Sequence, residues 1–342
     1  MALNQVGLER LNTATTNKIG ENKNLVINGQ FDIWQRGTDS GSNTTDGILA
    51  CDRWVLASSG ATKQVTRQTF TLGQTDVPSN PKYFLRYAVT TGNNNAALRQ
   101  RIEGVDRVQG TVTLTFYAKG TNPGGGSFNI TNRQDFGTGG SASSPVDTGV
   151  GDFTVTTSWA KKTFTFTPPS ISGKTLGTNN NSYYELEVFR QPASDTSTAA
   201  YTIDIANVQL EVGNVSTDFE DRSHAEELAL CQRYYYRTTP SNQGFYGVGN
   251  IDGGSQGQIL IHFPTEMRSK PTSLETTGTA TDYILRVTSN VNCTGVPTID
   301  NTSTTTALVV PPSSSHGLTD KSGAFLRAGS DSSFLGFAGA EL

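Results

Sequence analysis

Charge is scarce in this chain. Asp, Glu, Lys and Arg make up 16% of its 342 residues, against about 25% in ordinary soluble domains. The formal net charge is -4. No basic run and no interleaving of basic with aromatic residues occurs, so the electrostatic footprint of nucleic-acid binding is missing. Long apolar runs are also lacking. No stretch approaches the ~20 residues of a membrane helix, and Met1 to Gln5 opens without the basic and apolar regions of a secretory signal, so synthesis in the cytoplasm without membrane insertion is expected. Cysteine is limited to Cys51, Cys231 and Cys293, an odd set without short paired spacing, which argues against a disulfide framework and a zinc site. His224, His262 and His316 fall in no metal or triad spacing, and no residue is assigned a catalytic role.

Turn chemistry is abundant. Gly stands at 36 copies, and Thr, Ser and Asn crowd the intervals between short apolar runs, the profile of an all-β protein. From Asn24 a series of strand-like runs begins with 25–27 and includes 64–72, 83–89, 97–102, 111–118, 159–166, 184–189 and 201–205. Several alternate apolar and polar residues with period two, which predicts an N-terminal jelly-roll sandwich. The glycine-rich stretches 122–127 and 137–144 precede no helix pattern and read as mobile hairpin loops rather than phosphate loops.

Past residue 203 the pattern changes. Ile203, Ile205, Val208 and Leu210 fit a last core-facing strand, whereas Ser223 stands three residues ahead of Glu226, the spacing of a capping box. A short connecting helix from roughly Ser223 to Tyr235 is expected. Acidic residues near its start, including Asp221, Glu226 and Glu227, suit the helix dipole. Further strand-like runs at 258–263, 273–276, 283–287, 307–310, 324–328 and 333–342 predict a small C-terminal β-sandwich. The expected division is an arm at 1–23, a jelly-roll domain at 24–221, a linking helix at 222–238 and a C-terminal β-sandwich domain at 239–342. A unit of that last size buries only a modest part of its unfolded surface, and association between copies would support it.

Two aromatic pairs stand among small polar residues of loop character and are candidate ligand contacts: Tyr183 with Tyr184, and Phe245 with Tyr246. Trp34, Trp54 and Trp159 read as core.

The run Asn24-Leu25-Val26-Ile27-Asn28-Gly29-Gln30-Phe31-Asp32-Ile33-Trp34-Gln35-Arg36-Gly37-Thr38, with Asp52-Arg53-Trp54 after it, resembles the opening of a family of phage tail-fibre and virion structural proteins. So do Val208-Gln209-Leu210-Glu211-Val212-Gly213 with Glu227 to Tyr235, then Met267-Arg268-Ser269-Lys270-Pro271-Thr272, and the ending Leu335-Gly336-Phe337 near Glu341-Leu342. The resemblance implies a non-enzymatic tail-fibre or receptor-binding protein of the virion, made in the host cytoplasm. It further implies a homotrimer that adheres to host surface glycans and joins other virion proteins through the arm. A head fibre or capsid decoration protein is the first alternative, and a polysaccharide depolymerase the second. More distantly, Asn28-Gly29-x-Phe31-Asp32 with Asp204 is similar to carbohydrate-binding jelly rolls that hold a structural calcium. That likeness implies Asn28, Asp32 and Asp204 as oxygen ligands, although Asn28 with Gly29 also reads as a simple turn.

Overall fold

The computed structural model describes residues 23–57, 60–91, 96–124, 126–192, 194–195, 197–313 and 319–342. Of the arm at 1–23 all but Lys23 lies outside the described residues, as does His316. The chain divides into two compact units, Met1–Asp32 with Gly37–Arg222, and Ile33–Arg36 with Ser223–Leu342. Four residues from the opening motif thus belong to the second unit.

The first unit is an antiparallel jelly roll. Its strands are β1 (Ile48–Leu49), β2 (Val55–Ala57), β3 (Thr62–Thr69), β4 (Tyr83–Thr91), β5 (Ala97–Glu103), β6 (Val112–Gly120), β7 (Phe128–Asp135), β8 (Val146–Phe153), β9 (Ala160–Phe166), β10 (Tyr183–Arg190) and β11 (Tyr201–Val212). They form one sheet in the order β1-β2-β5-β10-β7-β8 and a second in the order β3-β4-β11-β6-β9. Alternation explains the packing, because successive side chains point to opposite faces. Tyr87 and Phe116 of the five-stranded sheet are fully buried with Phe128 and Phe189 of the six-stranded one. Edge-to-face contacts tie them together, Tyr87 to Phe189 at 5.0 Å and Phe116 to Phe153 at 5.3 Å, a geometry that aromatic quadrupoles favour. Trp54 is buried and donates from Nε1 to the Asn28 carbonyl.

Residues 25–27 are not the strand their composition predicts; Val26 to Asn28 form a run of bends. Side chains bind the backbone there instead. Asn24 donates from Nδ2 to the Val208 carbonyl and accepts from the Leu210 amide at Oδ1. Glu220 accepts from the amides of Lys23 and Asn24, while Arg222 donates to the carbonyls of Asn24 and Val26. Gly29 is required in this closure, since a Cβ would stand 2.2 Å from the Val208 carbonyl oxygen. The opening motif and the closing strand of this unit are therefore laced together by side chains.

The second unit begins with α1 (His224–Gln232). The capping box is present, with the Ser223 hydroxyl accepting from the Glu226 amide and the Glu226 carboxylate accepting from the Ser223 amide. The helix stops at Gln232 rather than Tyr235, because Tyr236 is taken into a strand. Strands follow as β12 (Tyr236–Thr238), β13 (Phe245–Asp252), β14 (Gln256–His262), β15 (Ser273–Glu275), β16 (Tyr283–Arg286), β17 (Asn290–Asn292), β18 (Thr298–Thr302), β19 (Thr306–Val310), β20 (Gly323–Ala328) and β21 (Leu335–Ala338). A three-stranded sheet, β12-β21-β15, packs on a seven-stranded one, β17-β16-β20-β13-β14-β19-β18. Their shared core holds Ile259, Ile261, Leu285, Val309, Leu326, Leu335 and Phe337, which makes this unit a β-sandwich.

The other motifs singled out in the sequence lie here. Gln35 donates from Nε2 to the Tyr235 carbonyl and accepts from the Arg237 amide. The Arg36 guanidinium lies 3.4 Å from the centre of the Tyr235 ring and 3.3 Å from Glu275, and the Tyr235 hydroxyl donates to the same carboxylate. Gly336 leaves room for that hydroxyl, which a Cβ would meet at 2.3 Å. Arg268 donates to the carbonyls of Ala340 and Glu341. Trp34 is buried.

Candidate polar face of the six-stranded sheet

Outward-pointing residues of β5, β10, β7 and β8 line up across the strands. Register places Arg101 beside Glu185, Glu185 beside Arg133 and Arg133 beside Asp147. One step along lie Arg99, Glu187 and Thr131. Opposite charges on neighbouring strands attract, and each row gains from the pairing. Glu185 is buried between two guanidinia, 2.7 Å from Arg101 Nε and 3.5 Å from Arg99 Nε. Glu187 accepts from the Thr131 hydroxyl and lies 3.4 Å from Arg190. Arg133 reaches Asp147 at 3.3 Å and Asp135 at 3.6 Å. Burial pulls the Arg133 pKa down, but Asp147, Tyr183, Asp135 and Glu185 outweigh it and the net shift is upward.

These strands enclose a groove of about 410 Å³ lined by Arg99, Thr131, Asn132, Arg133, Asp147, Thr148, Gly149, Glu185, Glu187 and Arg190. Three guanidinia and three carboxylates balance, so the groove favours neutral polar groups over ions. Asn132 alternates with Thr131 and Arg133 and belongs to the buried set of β7; its Nδ2 donates to the Thr148 carbonyl.

Tyr183 stands on this face at the head of β10, half-buried, with the Arg101 guanidinium 4.5 Å from its ring centre. Its pKa is raised, chiefly by burial, with Arg101 opposing and Asp135 and Glu185 adding to the shift. Tyr184, expected beside it as a ligand contact, is instead a fully buried core residue of β10. Adjacent strand residues point oppositely, so the pair splits. The second pair splits the same way at the start of β13: Phe245 is 58% exposed and Tyr246 only 9%. Phe245 belongs to a different surface. On the outer side of the seven-stranded sheet it packs on Phe325 at 5.2 Å, and Val248 sits in register between Leu260 and Phe325. Exposures of 56%, 40% and 45% for Val248, Leu260 and Phe325 make this an open apolar row.

Of the three residues implied for calcium, Asp204 is committed to an ion pair. Both carboxylate oxygens of Asp204 are engaged by Arg86, at 2.7 and 2.8 Å, an ion pair that raises the Arg86 pKa. Asn28 donates from Nδ2 to the Asp52 carbonyl and faces the Cys51 sulfur, in the left-handed turn conformation at φ 58. Asp32 adds to the charges that push the Cys51 thiol up. Among the described residues no group of three or more His, Cys, Asp or Glu is placed to hold a metal ion.

The stretch 137–144, read as a mobile hairpin, is laced to a neighbouring segment. The amides of Gly177, Thr178 and Asn179 donate to the carbonyls of Phe136, Gly139 and Thr138.

No family model and no curated protein matches the chain. Among solved structures it is similar to the enzymatically active domain of bacteriophage CBA120 tailspike protein 4, at 17% identity over 55% of this chain and 21% of that one, with a TM-score of 0.32. It is also similar to the CBM22-1 xylan-binding domain of Paenibacillus barcinonensis Xyn10C, at 13% identity over 56% of this chain and 96% of that one, with a TM-score of 0.31. A third likeness is to the N-terminal cellulose-binding domain of Cellulomonas fimi β-1,4-glucanase C, at 18% identity over 41% and 84% of the two chains, TM-score 0.26. At these TM-scores the likenesses carry no weight for function. The side chains of the groove itself do.

Proposed function

We propose that this chain is a non-enzymatic adhesion protein of a phage particle, a tail fibre or receptor-binding protein, whose jelly roll holds host surface glycans on the outer face of its six-stranded sheet. The observation that carries the reading is the charge-balanced row Arg101, Glu185, Arg133 and Asp147 beside Tyr183. Fixed guanidinium and carboxylate groups supply donors and acceptors to sugar hydroxyls with little reorganisation, while net neutrality avoids selecting for ionic ligands. Every carboxylate of the row is already occupied by a guanidinium or a hydroxyl. None is presented as the unencumbered acid and base pair that glycoside cleavage needs across a scissile bond. The phage assignment rests on the sequence resemblance, whose separate motifs converge on the two closures of the fold.

A second reading concerns the particle. The apolar row Val248, Leu260, Phe325 and Phe245 supports association between copies through the C-terminal β-sandwich, with the number three taken from the resemblance. Linked copies would convert weak single-site binding into avidity. Incubation of the purified protein with host envelope glycans tests the first reading. Retention without new reducing ends is expected; new reducing ends would favour a depolymerase, and no retention would favour a head fibre or capsid decoration protein.

A further inference from the structure

A second groove, of about 320 Å³, lies on the outer side of the other sheet of the jelly roll. It is lined by Pro78, Ser79, Thr115, Tyr117, Lys161, Asn207, Thr217, Asp218 and Phe219. Asn207 is part of its lining. The pairing of β11 with β6 slips between Ala206 and Gln209, and at this bulge Asn207 takes a left-handed backbone, φ 50. Its carboxamide is buried, 3% exposed. Nδ2 donates to the Pro78 carbonyl and the Ser79 hydroxyl, both at 3.0 Å, which fixes the amide orientation. Oδ1 accepts no hydrogen bond.

Ser79 is also left-handed, with φ 66, so two left-handed non-glycine residues line one groove. Such strain persists where surrounding structure holds it in place, often at binding sites. The wall is amphipathic. Tyr117 packs against the cluster of Val77, Phe84 and Ala206, whereas Lys161 stands exposed and donates to the Ser216 hydroxyl. An acceptor held in place beside an aromatic ring and a movable ammonium is the equipment for a pyranose: hydroxyl to Oδ1, ring face to tyrosine, a second hydroxyl to lysine.

We infer that this groove is a second sugar subsite, taking a single neutral pyranose unit with Asn207 Oδ1 as its acceptor. Only the class of ligand rests on the function proposed above; the groove lies on the opposite sheet and works independently. The test is a titration of the full isotope-labelled chain with methyl glucoside, methyl galactoside, methyl mannoside and N-acetylglucosamine, reading the Asn207 side-chain amide by NMR. Sorbitol serves as the open-chain polyol. At least one pyranoside is expected to shift the signal saturably. Asn207→Gly keeps a backbone suited to positive φ but removes the acceptor. It should weaken binding tenfold or more, read on the Tyr117 and Lys161 signals. Because that change also frees Pro78 and Ser79, Lys161→Ala serves as the second variant, with an expected weakening of about threefold. No saturable shift with any pyranoside, an equal shift with sorbitol, or unchanged affinity in both variants would overturn the inference. An Arg133→Ala chain separates the two sites. Loss of glycan retention with intact Asn207 shifts would support the second subsite, whereas simultaneous loss of both in a folded chain would contradict its independence.

Discussion

The outer face of the six-stranded sheet and the outer face of the seven-stranded sheet are built by the same alternation and present opposite chemistry. On the first, β5 and β10 place Arg99, Arg101, Glu185 and Glu187 outward; on the second, β13, β14 and β20 place Val248, Leu260 and Phe325 outward. A charged, paired surface has its hydrogen bonds directed and is well hydrated, and it suits a polar ligand. An open apolar row gains free energy only when another surface covers it, at ~25 cal/mol per Å². On the proposed reading, recognition and assembly are divided between the two units, although their cores are equally ordinary sandwiches.

The comparison breaks most severely if one unit is lost. Gly29→Ala would drive a Cβ into the Val208 carbonyl oxygen, and overpacking against backbone costs about 3 kcal/mol or more. The jelly roll should lose its own thermal transition and its glycan retention, while the transition of the second unit stays. Calorimetry of the full chain reads both. A single transition lost as a whole would show that the faces are not independent.

Next in size is a double change of the apolar row, Val248→Glu with Phe325→Glu. Both side chains are exposed, so folding should be spared, within about 0.5 kcal/mol. Native mass measurement should then find single chains where the wild-type protein is predicted to associate, with monovalent sugar affinity unchanged.

Smaller is Arg133→Ala. It removes the guanidinium shared by Asp135 and Asp147, and glycan affinity should fall about ten- to a hundredfold, or ~1.4–2.7 kcal/mol. Stability should change by less than ~1 kcal/mol, because the pairs are partly exposed. Association of copies should not change.

The smallest effect applies to both units alike. Burial, with Asp52 adding, pushes the Cys51 thiol well up, and burial pushes Cys293 up to about 12. A raised folded pKa means that the stability from the neutral thiol is complete below the unfolded value, near 9, and is lost as pH rises toward the folded one. Chemical denaturation should find no thiol contribution to pH dependence between 7 and 8.5, then a fall of up to ~1.4 kcal/mol per thiol over the first unit above 9. Cys51→Ala and Cys293→Ala should each flatten that fall in their own unit.

Sequence alone revealed the layers better than the faces. The two sandwiches, the capping box at Ser223 and Glu226 and the last jelly-roll strand were legible because period and cap spacing are local signals. Residues 25–27 were not, since their apolar character serves a closure by the Asn24 and Arg222 side chains rather than a ladder. Pairing Tyr183 with Tyr184, and Phe245 with Tyr246, as joint ligand contacts ignored a signal that was present: neighbours on a strand cannot share a face. The charged row had a local trace in Arg99-Gln100-Arg101 and Glu185-Leu186-Glu187. What no local pattern supplies is that β5, β10 and β7 lie side by side. The division at Asp32 and Ile33 was hidden for the same reason, because it depends on contacts across some two hundred residues of chain.

Binding of wild-type and Arg133→Ala chains to a host glycan array, with reducing ends counted in the same samples, tests the polar face most directly. Retention by the wild type, a loss of at least tenfold in the folded variant and no new reducing ends are the predicted result. Equal retention by both chains, or cleavage of the glycans, would contradict it.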